Sequence, residues 1–234
     1  MKSLCLDFGN THVHWGEFQD SKLLSSGFAL NNEFQLNDEF ENIALASVII
    51  IPVELFRALK KQNALVLNSE TPLPIKLNYQ NAKSLGADRI AAAVALYKRF
   101  PNQVAMSVDL GTCITYDILD DQGVYQGGAI SPGIGMRSLA MNKYTAKLPK
   151  VELEFPPNVI GNSTQHSLQS GVMNAVKFEI EGMIEAVNEQ FGSINTILTG
   201  GDADSFVQVL KNHIFADPNL VLKGLNEILA YNRA

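Results

Sequence analysis

The apolar positions of this chain come in short strand-like runs and two kinds of helical stretch. Residues 3–8 and 11–18 predict two strands around a turn at Gly9-Asn10, and a third strand is predicted at 22–29, after Asp20-Ser21. The β-branched run Ser47-Val48-Ile49-Ile50-Ile51 predicts a buried strand, and Pro52 opens a helix of about ten residues. From Ala87 to Phe100 the chain is rich in helix formers, with Pro101 as the stop. Residues 103–109 and 112–119 again predict strands around Gly111, followed by a third over 123–130. Leu168, Val172, Ala175, Met183, Val187 and Phe191 recur at helical spacing and predict a long amphipathic helix packed on a core. Residues 194–199 read as a strand ending in Gly200-Gly201, Asp202 is placed to cap the next helix, and a last helix is expected over 222–232.

The opening pattern returns. Leu6-Asp7-Phe8-Gly9-Asn10-Thr11 and Val108-Asp109-Leu110-Gly111-Thr112 share apolar, Asp, apolar, Gly and a polar residue, with the two Asp 102 positions apart. Repetition at that spacing predicts a duplicated α/β domain rather than a solenoid, whose repeats are far shorter. The expected domains are 1–104 and 105–234, with no linker or low-complexity segment between them. Two such halves are expected to pack tightly, with an active-site cleft between them.

Composition narrows the classes of function. The chain has 234 residues, 46% hydrophobic and 18% charged, which suffices for a sizeable core. A net charge of -6 argues against broad electrostatic binding of nucleic acid and leaves room for a local basic pocket. Cys5 and Cys113 lie in apolar strand-like stretches without neighbouring His, which predicts reduced, buried and inert thiols. The longest apolar run, Ile43 to Val53, reaches about half of the roughly 20 residues that span a bilayer. With no signal-peptide core at the N-terminus, a soluble cytoplasmic protein without membrane partners is expected.

Five segments carry candidate chemistry. An Asp leaving a strand and followed by Gly lets backbone N–H groups approach an anion, while the carboxylate holds Mg²⁺ directly or through water. One such turn serves equally well in a plain hairpin. Two in duplicated context suit the phosphates of one nucleotide. Leu198-Thr199-Gly200-Gly201-Asp202-Ala203 places paired glycines between a strand and a helix, where a flat ring can lie against backbone, although an ordinary β–α turn looks the same. Gly86-Ala87-Asp88-Arg89 opens a helix: Asp88 is either simple first-turn electrostatics or the carboxylate that accepts an alcohol's proton, and Arg89 a surface charge or the grip on an acidic substrate. Gly127 to Gly135 forms a glycine- and proline-containing loop that suits a pocket wall or a tight turn. His12, His14, His166 and His213 show no metal-ligand spacing, and neither a Walker-type loop nor a nucleophile elbow occurs.

Taken together, Asp7-Phe8-Gly9-Asn10-Thr11, Gly86-Ala87-Asp88-Arg89, Asp109-Leu110-Gly111-Thr112 with Thr115, Gly128 to Gly133, Gly161-Asn162-Ser163-Thr164 and Thr199-Gly200-Gly201-Asp202 resemble type III pantothenate kinases in order and spacing. The resemblance runs from residue 3 to about residue 205. It implies two ribonuclease H-like, actin-like domains with mixed sheets flanked by helices, and transfer of the ATP γ-phosphoryl group to the 4′-hydroxyl of pantothenate. It further implies that Asp7, Phe8, Gly9, Asn10, Thr11, His12, Val13 and His14 cradle the ATP phosphates, with Asp7 near Mg²⁺. Thr112 contacts ATP, as do Gly200 and Gly201. Asp88 becomes the proton acceptor, and Tyr79, Gly86, Ala87, Asp88, Arg89 and Thr164 bind pantothenate. Asp109 coordinates a monovalent cation, K⁺ or NH₄⁺. A homodimer is implied, in which Thr164 serves its own or the neighbouring subunit's site. Other actin-like sugar or acetate kinases, a polyphosphate phosphatase, or a regulatory module that kept only the nucleotide cleft are the rival readings. They share the Asp-Gly turns without requiring Asp88-Arg89.

Overall fold

The strand at the head of the chain is apolar almost throughout because it is covered on both faces. In the computed structural model, which describes residues 2–36, 40–210 and 214–233, β1 (Lys2–Phe8) buries Leu4, Cys5, Leu6 and Phe8. It pairs antiparallel with β2 (His12–Gln19), which pairs antiparallel with β3 (Lys22–Leu30). On its other side it pairs parallel with β4 (Asn42–Ser47), and β4 pairs parallel with β5 (Leu65–Val66). The sheet order is therefore β3-β2-β1-β4-β5. Helix α1 (Val53–Lys61) follows Pro52, as the sequence predicts.

The expected strand over 47–51 is displaced: it lies at Asn42–Ser47 instead. Its register with β1 runs from Ser3 opposite Asn42 to Phe8 opposite Ser47, so β4 ends where β1 ends. Beyond that point Ser47 Oγ donates to Ile49 O at 2.8 Å and accepts from Ile49 N, closing a local turn that leaves Ile50 95% exposed. Partner length overrides β-propensity here.

After β6 (Lys76–Leu77) come α2 (Ala87–Arg99), β7 (Ala105–Leu110), β8 (Cys113–Leu119) and β9 (Val124–Pro132). Next are α3 (Ile134–Tyr144), α4 (Thr164–Gln169), a π-helical turn over Ser170–Asn174 and α5 (Ala175–Phe191). The chain ends with β10 (Asn195–Thr199), α6 (Asp204–Val207), β11 (Ile214–Ala216) and α7 (Leu220–Tyr231). The second sheet has the order β11-β10-β7-β8-β9-β6. Read from β9, it runs β9-β8-β7-β10-β11, the same plan as β3-β2-β1-β4-β5, with β6 added at the edge. The sequence repeat is thus a repeat of topology: two mixed sheets, each with the Asp-Gly turn after its central strand.

The chain forms two compact units. One comprises Met1–Ala105, Asp117–Gly127 and Asn219–Ala234, and the other Met106–Tyr116 and Gly128–Pro218. In the first, α7 packs on α2, β1 and β4, and Asn226 of α7 accepts from Ser3 Oγ at 2.7 Å. Its core includes Leu4, Leu6, Phe8, Val13, Ile43, Leu45 and Leu59.

The phase of the long helix also departs from expectation. The buried line is Leu168, Val172, Val176, Ile180, Ile184 and Val187, whereas Ala175, Met183 and Phe191 are only partly buried. The π turn over Ser170–Asn174 inserts one residue, and the buried line beyond it takes Val176 in place of Ala175 and Ile184 in place of Met183, while Val187 stays on it. Asp202 does not cap α6, whose N-cap is Ala203 without a side-chain bond. His213 lies outside the described residues.

Candidate active site

Around the first Asp-Gly turn, Asp7 is half-buried at the end of β1, and Gly9 N donates to His12 O at 3.0 Å to close the hairpin. Asn31 supports the turn from outside: its Nδ2 donates to Gly9 O at 2.9 Å and its N to Thr11 O at 3.2 Å. Asn10, Thr11 and His12 are exposed, so their side chains are available to a ligand. Phe8 and Val13 are fully buried, with Phe8 set edge-on against Phe34, so any ligand contact they make is through backbone.

His14 is buried too, its ring stacked on Phe28 with centroids 4.1 Å apart. Burial holds this imidazole down at about 4, against the pull of a hydrogen bond with Asn219. It is therefore neutral at physiological pH and is not a cation for phosphate. The unfolded chain protonates it near 6.5, so folding gains stability from it that is complete above that pH and is lost as pH falls towards 4. The loss is expected to be roughly 3 kcal/mol. Chemical denaturation between pH 7 and 4 checks this: His14→Phe is expected to be less acid-sensitive than wild type by about that amount.

A second cluster in the same unit forms at the start of α2. Its N-cap is Gly86, and Asp88 Oδ1 accepts from Arg89 N at 2.9 Å. A Cβ on Gly86 would stand 2.4 Å from that oxygen, so the glycine makes room for the carboxylate. Asp88 remains half-buried, while Arg89 is only 6% exposed. Arg89 Nε donates to Asp117 Oδ1 at 2.8 Å, and Tyr125 OH donates to the same oxygen at 2.7 Å. Tyr79 lies beside Tyr125, ring centroids 6.0 Å apart. Burial pushes the Asp117 carboxyl up to about 6, although Arg89 and Tyr125 pull it down. Arg89 is thus neither a surface charge nor a freely swinging grip. Asp117 and Tyr125 carried no sequence signal, since an Asp and a Tyr in alternating strands look like ordinary solvent-facing positions.

In the other unit, Asp109 occupies on β7 the half-buried place that Asp7 has on β1. The turn is tighter than its counterpart: Gly111 N donates to Cys113 O at 3.2 Å. Two further loops close on it. Gly133 N donates to Thr112 O at 3.1 Å, and a Cβ there would stand 2.3 Å from that oxygen. Asp202 N donates to Leu110 O at 3.1 Å, and Gly200, at φ +89, would bring a Cβ to 2.5 Å from Asp109 Oδ1. Gly200 is therefore required both by its left-handed backbone and by the carboxylate beside it. A Cβ on Gly201 meets nothing within 4 Å, which leaves open space at that point.

Sequence reading also missed the hub behind this turn. Glu179 accepts from Tyr116 OH at 2.9 Å, from Ser131 Oγ at 2.5 Å, and from Arg137 Nη2. Burial pushes its carboxyl up, but those three donors more than offset this and leave it below the usual range. The hub ties β8 and the end of β9 to α3 and α5. Thr164 is exposed in the first turn of α4, and the bonds around it are local, with Ser163 Oγ accepting from His166 N.

Among the described residues, no group of three or more His, Cys, Asp or Glu converges as a metal centre. Mg²⁺ that arrives with a nucleotide takes most of its oxygens from phosphates and water and needs one or two protein carboxylates, and Asp7 is a half-buried carboxylate of that kind. Asp109 is half-buried with Gly111 and Gly200 beside its Oδ1, and its carboxylate is an oxygen donor of the kind a monovalent cation accepts. No helix among the described residues is long and apolar enough to cross a membrane.

Several known proteins resemble this chain. A Flavobacterium psychrophilum type III pantothenate kinase is 39% identical over 239 residues, covering 98% of this chain and 99% of the relative. One from Christiangramia forsetii is 39% identical over 242 residues, covering 99% of each. Among solved structures, a Campylobacter jejuni protein provisionally described as a Baf family transcriptional activator superposes with a TM-score of 0.68 at 23% identity, covering 98% of both chains. The Arthrobacter polyphosphate/ATP-glucomannokinase gives 0.50 at 13%, also covering 98% of both. These two likenesses concern the fold alone. The family model for type III pantothenate kinase matches residues 3–186. With that match and relatives of ordinary length aligned end to end, this chain belongs to the type III pantothenate kinase family.

Proposed function

We infer that this chain phosphorylates pantothenate at its 4′-hydroxyl with ATP, the first step of coenzyme A biosynthesis. The family match over residues 3–186 carries this reading. The clusters supply the roles. Asp88, half-buried at the helix start, is assigned as proton acceptor. A primary alcohol is too weak an acid to ionise early. The carboxylate therefore orients the hydroxyl and takes its proton late, as the loose phosphoryl transition state forms its new bond.

Arg89 is assigned to the substrate carboxylate, and Tyr79, Gly86 and Ala87 to the same substrate; Thr164 is assigned to pantothenate bound in its own or a neighbouring subunit. The first turn, Gly9 to His12, is assigned to the triphosphate, where the exposed residues Asn10 to His12 offer N–H groups and a hydroxyl that stabilise charge without reorganising. Thr112 is assigned to ATP, and Gly200 and Gly201 to its nucleoside end, where the space beside Gly201 admits a ring. Mg²⁺, when bound, neutralises phosphate charge near Asp7. Asp109 is assigned to a K⁺ or NH₄⁺ ion. A homodimer in the cytoplasm is part of the same proposal.

A coupled assay of ADP release with ATP and pantothenate, in K⁺ and then in Na⁺, tests the reading. Turnover stimulated by K⁺ is expected. Preference for a sugar acceptor, or no turnover together with tight DNA binding, would defeat it. Asp109→Asn is expected to lose about tenfold of the K⁺-stimulated rate and to flatten the difference between the two salts, because an amide attracts a cation far less than a carboxylate.

A further inference from the structure

Arg89 and Asp117 form a buried ion pair, with side-chain exposures of 7% and 2%. Such pairs contribute little net stability compared with apolar residues of the same volume, because desolvation offsets their attraction. Asp117 Oδ1 takes both the Arg89 Nε–H and the Tyr125 hydroxyl, so one carboxylate oxygen organises a guanidinium from α2 and a phenol from β9. Tyr125, itself fully buried, stands next to Tyr79. Two of the residues assigned to the acidic substrate, Arg89 and Tyr79, are thus braced through a third and a fourth to which no role has been given.

A guanidinium recognises a carboxylate through a planar fork, and recognition depends on the orientation of that plane. We propose that Asp117 is a positioning residue: by holding Nε of Arg89 it sets the plane in which the guanidinium meets the substrate's carboxylate, and so determines the preference for an acid over its neutral analogue. This rests on the assignment of Arg89 to that carboxylate.

The test compares pantothenate with an analogue whose carboxylate is replaced by a hydroxymethyl group. For Asp117→Asn, KM for pantothenate is expected to rise about tenfold or more, while KM for ATP and KM for the neutral analogue stay within about twofold. The acid-over-neutral preference then collapses, which a general packing defect would not produce. Parallel loss with both acceptors, or an equal change in KM for ATP, overturns the proposal. Tyr125→Phe keeps the ion pair and removes one bond, so it covers the case in which Asp117→Asn does not fold. It is expected to shift the preference about threefold in the same direction, and an unchanged preference there counts against the proposal. Arg89→Gln separates the two layers. If it retains the acid preference, the assignment of Arg89 falls. If the preference is lost in Arg89→Gln but kept in Asp117→Asn, only the positioning role falls.

Discussion

Asp88→Asn is expected to lower kcat by about a thousandfold while leaving the Kd for ATP within about twofold of wild type, the scale on which a positioned general base contributes. The substitution isolates the proton-accepting function because it leaves the local geometry in place. The bond that Asp88 Oδ1 accepts from Arg89 N at 2.9 Å can be reproduced by an amide oxygen. Gly86, whose missing side chain makes room for that oxygen, is untouched. An amide holds no proton-accepting charge, so the hydroxyl loses the group that receives its proton as the phosphoryl group arrives. A thousandfold fall corresponds to about 4 kcal/mol of lost transition-state stabilisation. Single-turnover kinetics and calorimetric titration with ATP check the two halves of the expectation. A wild-type rate in Asp88→Asn would remove the residue from the base role.

The largest effect on stability is expected from Gly224→Ala. Gly224 lies within α7, and a Cβ there would stand 1.8 Å from the carbonyl oxygen of Ala91 in α2. Nothing flexible can give way, because the obstacle is helix backbone. Gly224 meets the buried Ala91 of α2, so at this point the two helices approach through two of their smallest residues. One methyl group forces the helices apart and loosens the packing of α7 on β1 and β4. The expected cost is about 3 kcal/mol or more, or roughly 10 °C in Tm for a chain of this size. Gly182→Ala in α5 is the matched control. Nothing lies within 4 Å of its added Cβ, so the higher helix propensity of alanine is expected to stabilise by about 1 kcal/mol. Thermal melts of the two variants should move in opposite directions. A Gly224→Ala protein as stable as wild type would mean that α7 does not pack against α2 as described.

Much of the architecture was legible because its signals are local. Strand-turn-strand at 2–19 and again at 105–119 follows from apolar runs broken by Asp-x-Gly, and α2 from a run of helix formers closed by Pro101. The duplication could be read from the same turn occurring twice, and the matching strand order of the two sheets is its structural counterpart. Asp88 and Arg89 stood out because two opposite charges at one helix start suit an acidic alcohol as substrate. What stood out less was the environment of those charges, which depends on residues far away in sequence.

Sequence alone therefore determined the secondary-structure grammar, the internal repeat and the short motifs, since each depends on neighbours within a few positions. Tertiary structure decided where β4 stops, because that is set by the length of β1 rather than by the β-branched residues after Ser47. It decided which face of α5 is buried, because one extra residue in the π turn puts Val176 and Ile184 on the buried line in place of Ala175 and Met183. It placed the last helix against α2 and β1 of the first unit, more than a hundred residues back along the chain. It also turned Arg89 inward onto Asp117 and made His14 a neutral, stacked ring. Burial and partner choice set the charge state and orientation of such groups, and both arise only when distant segments meet.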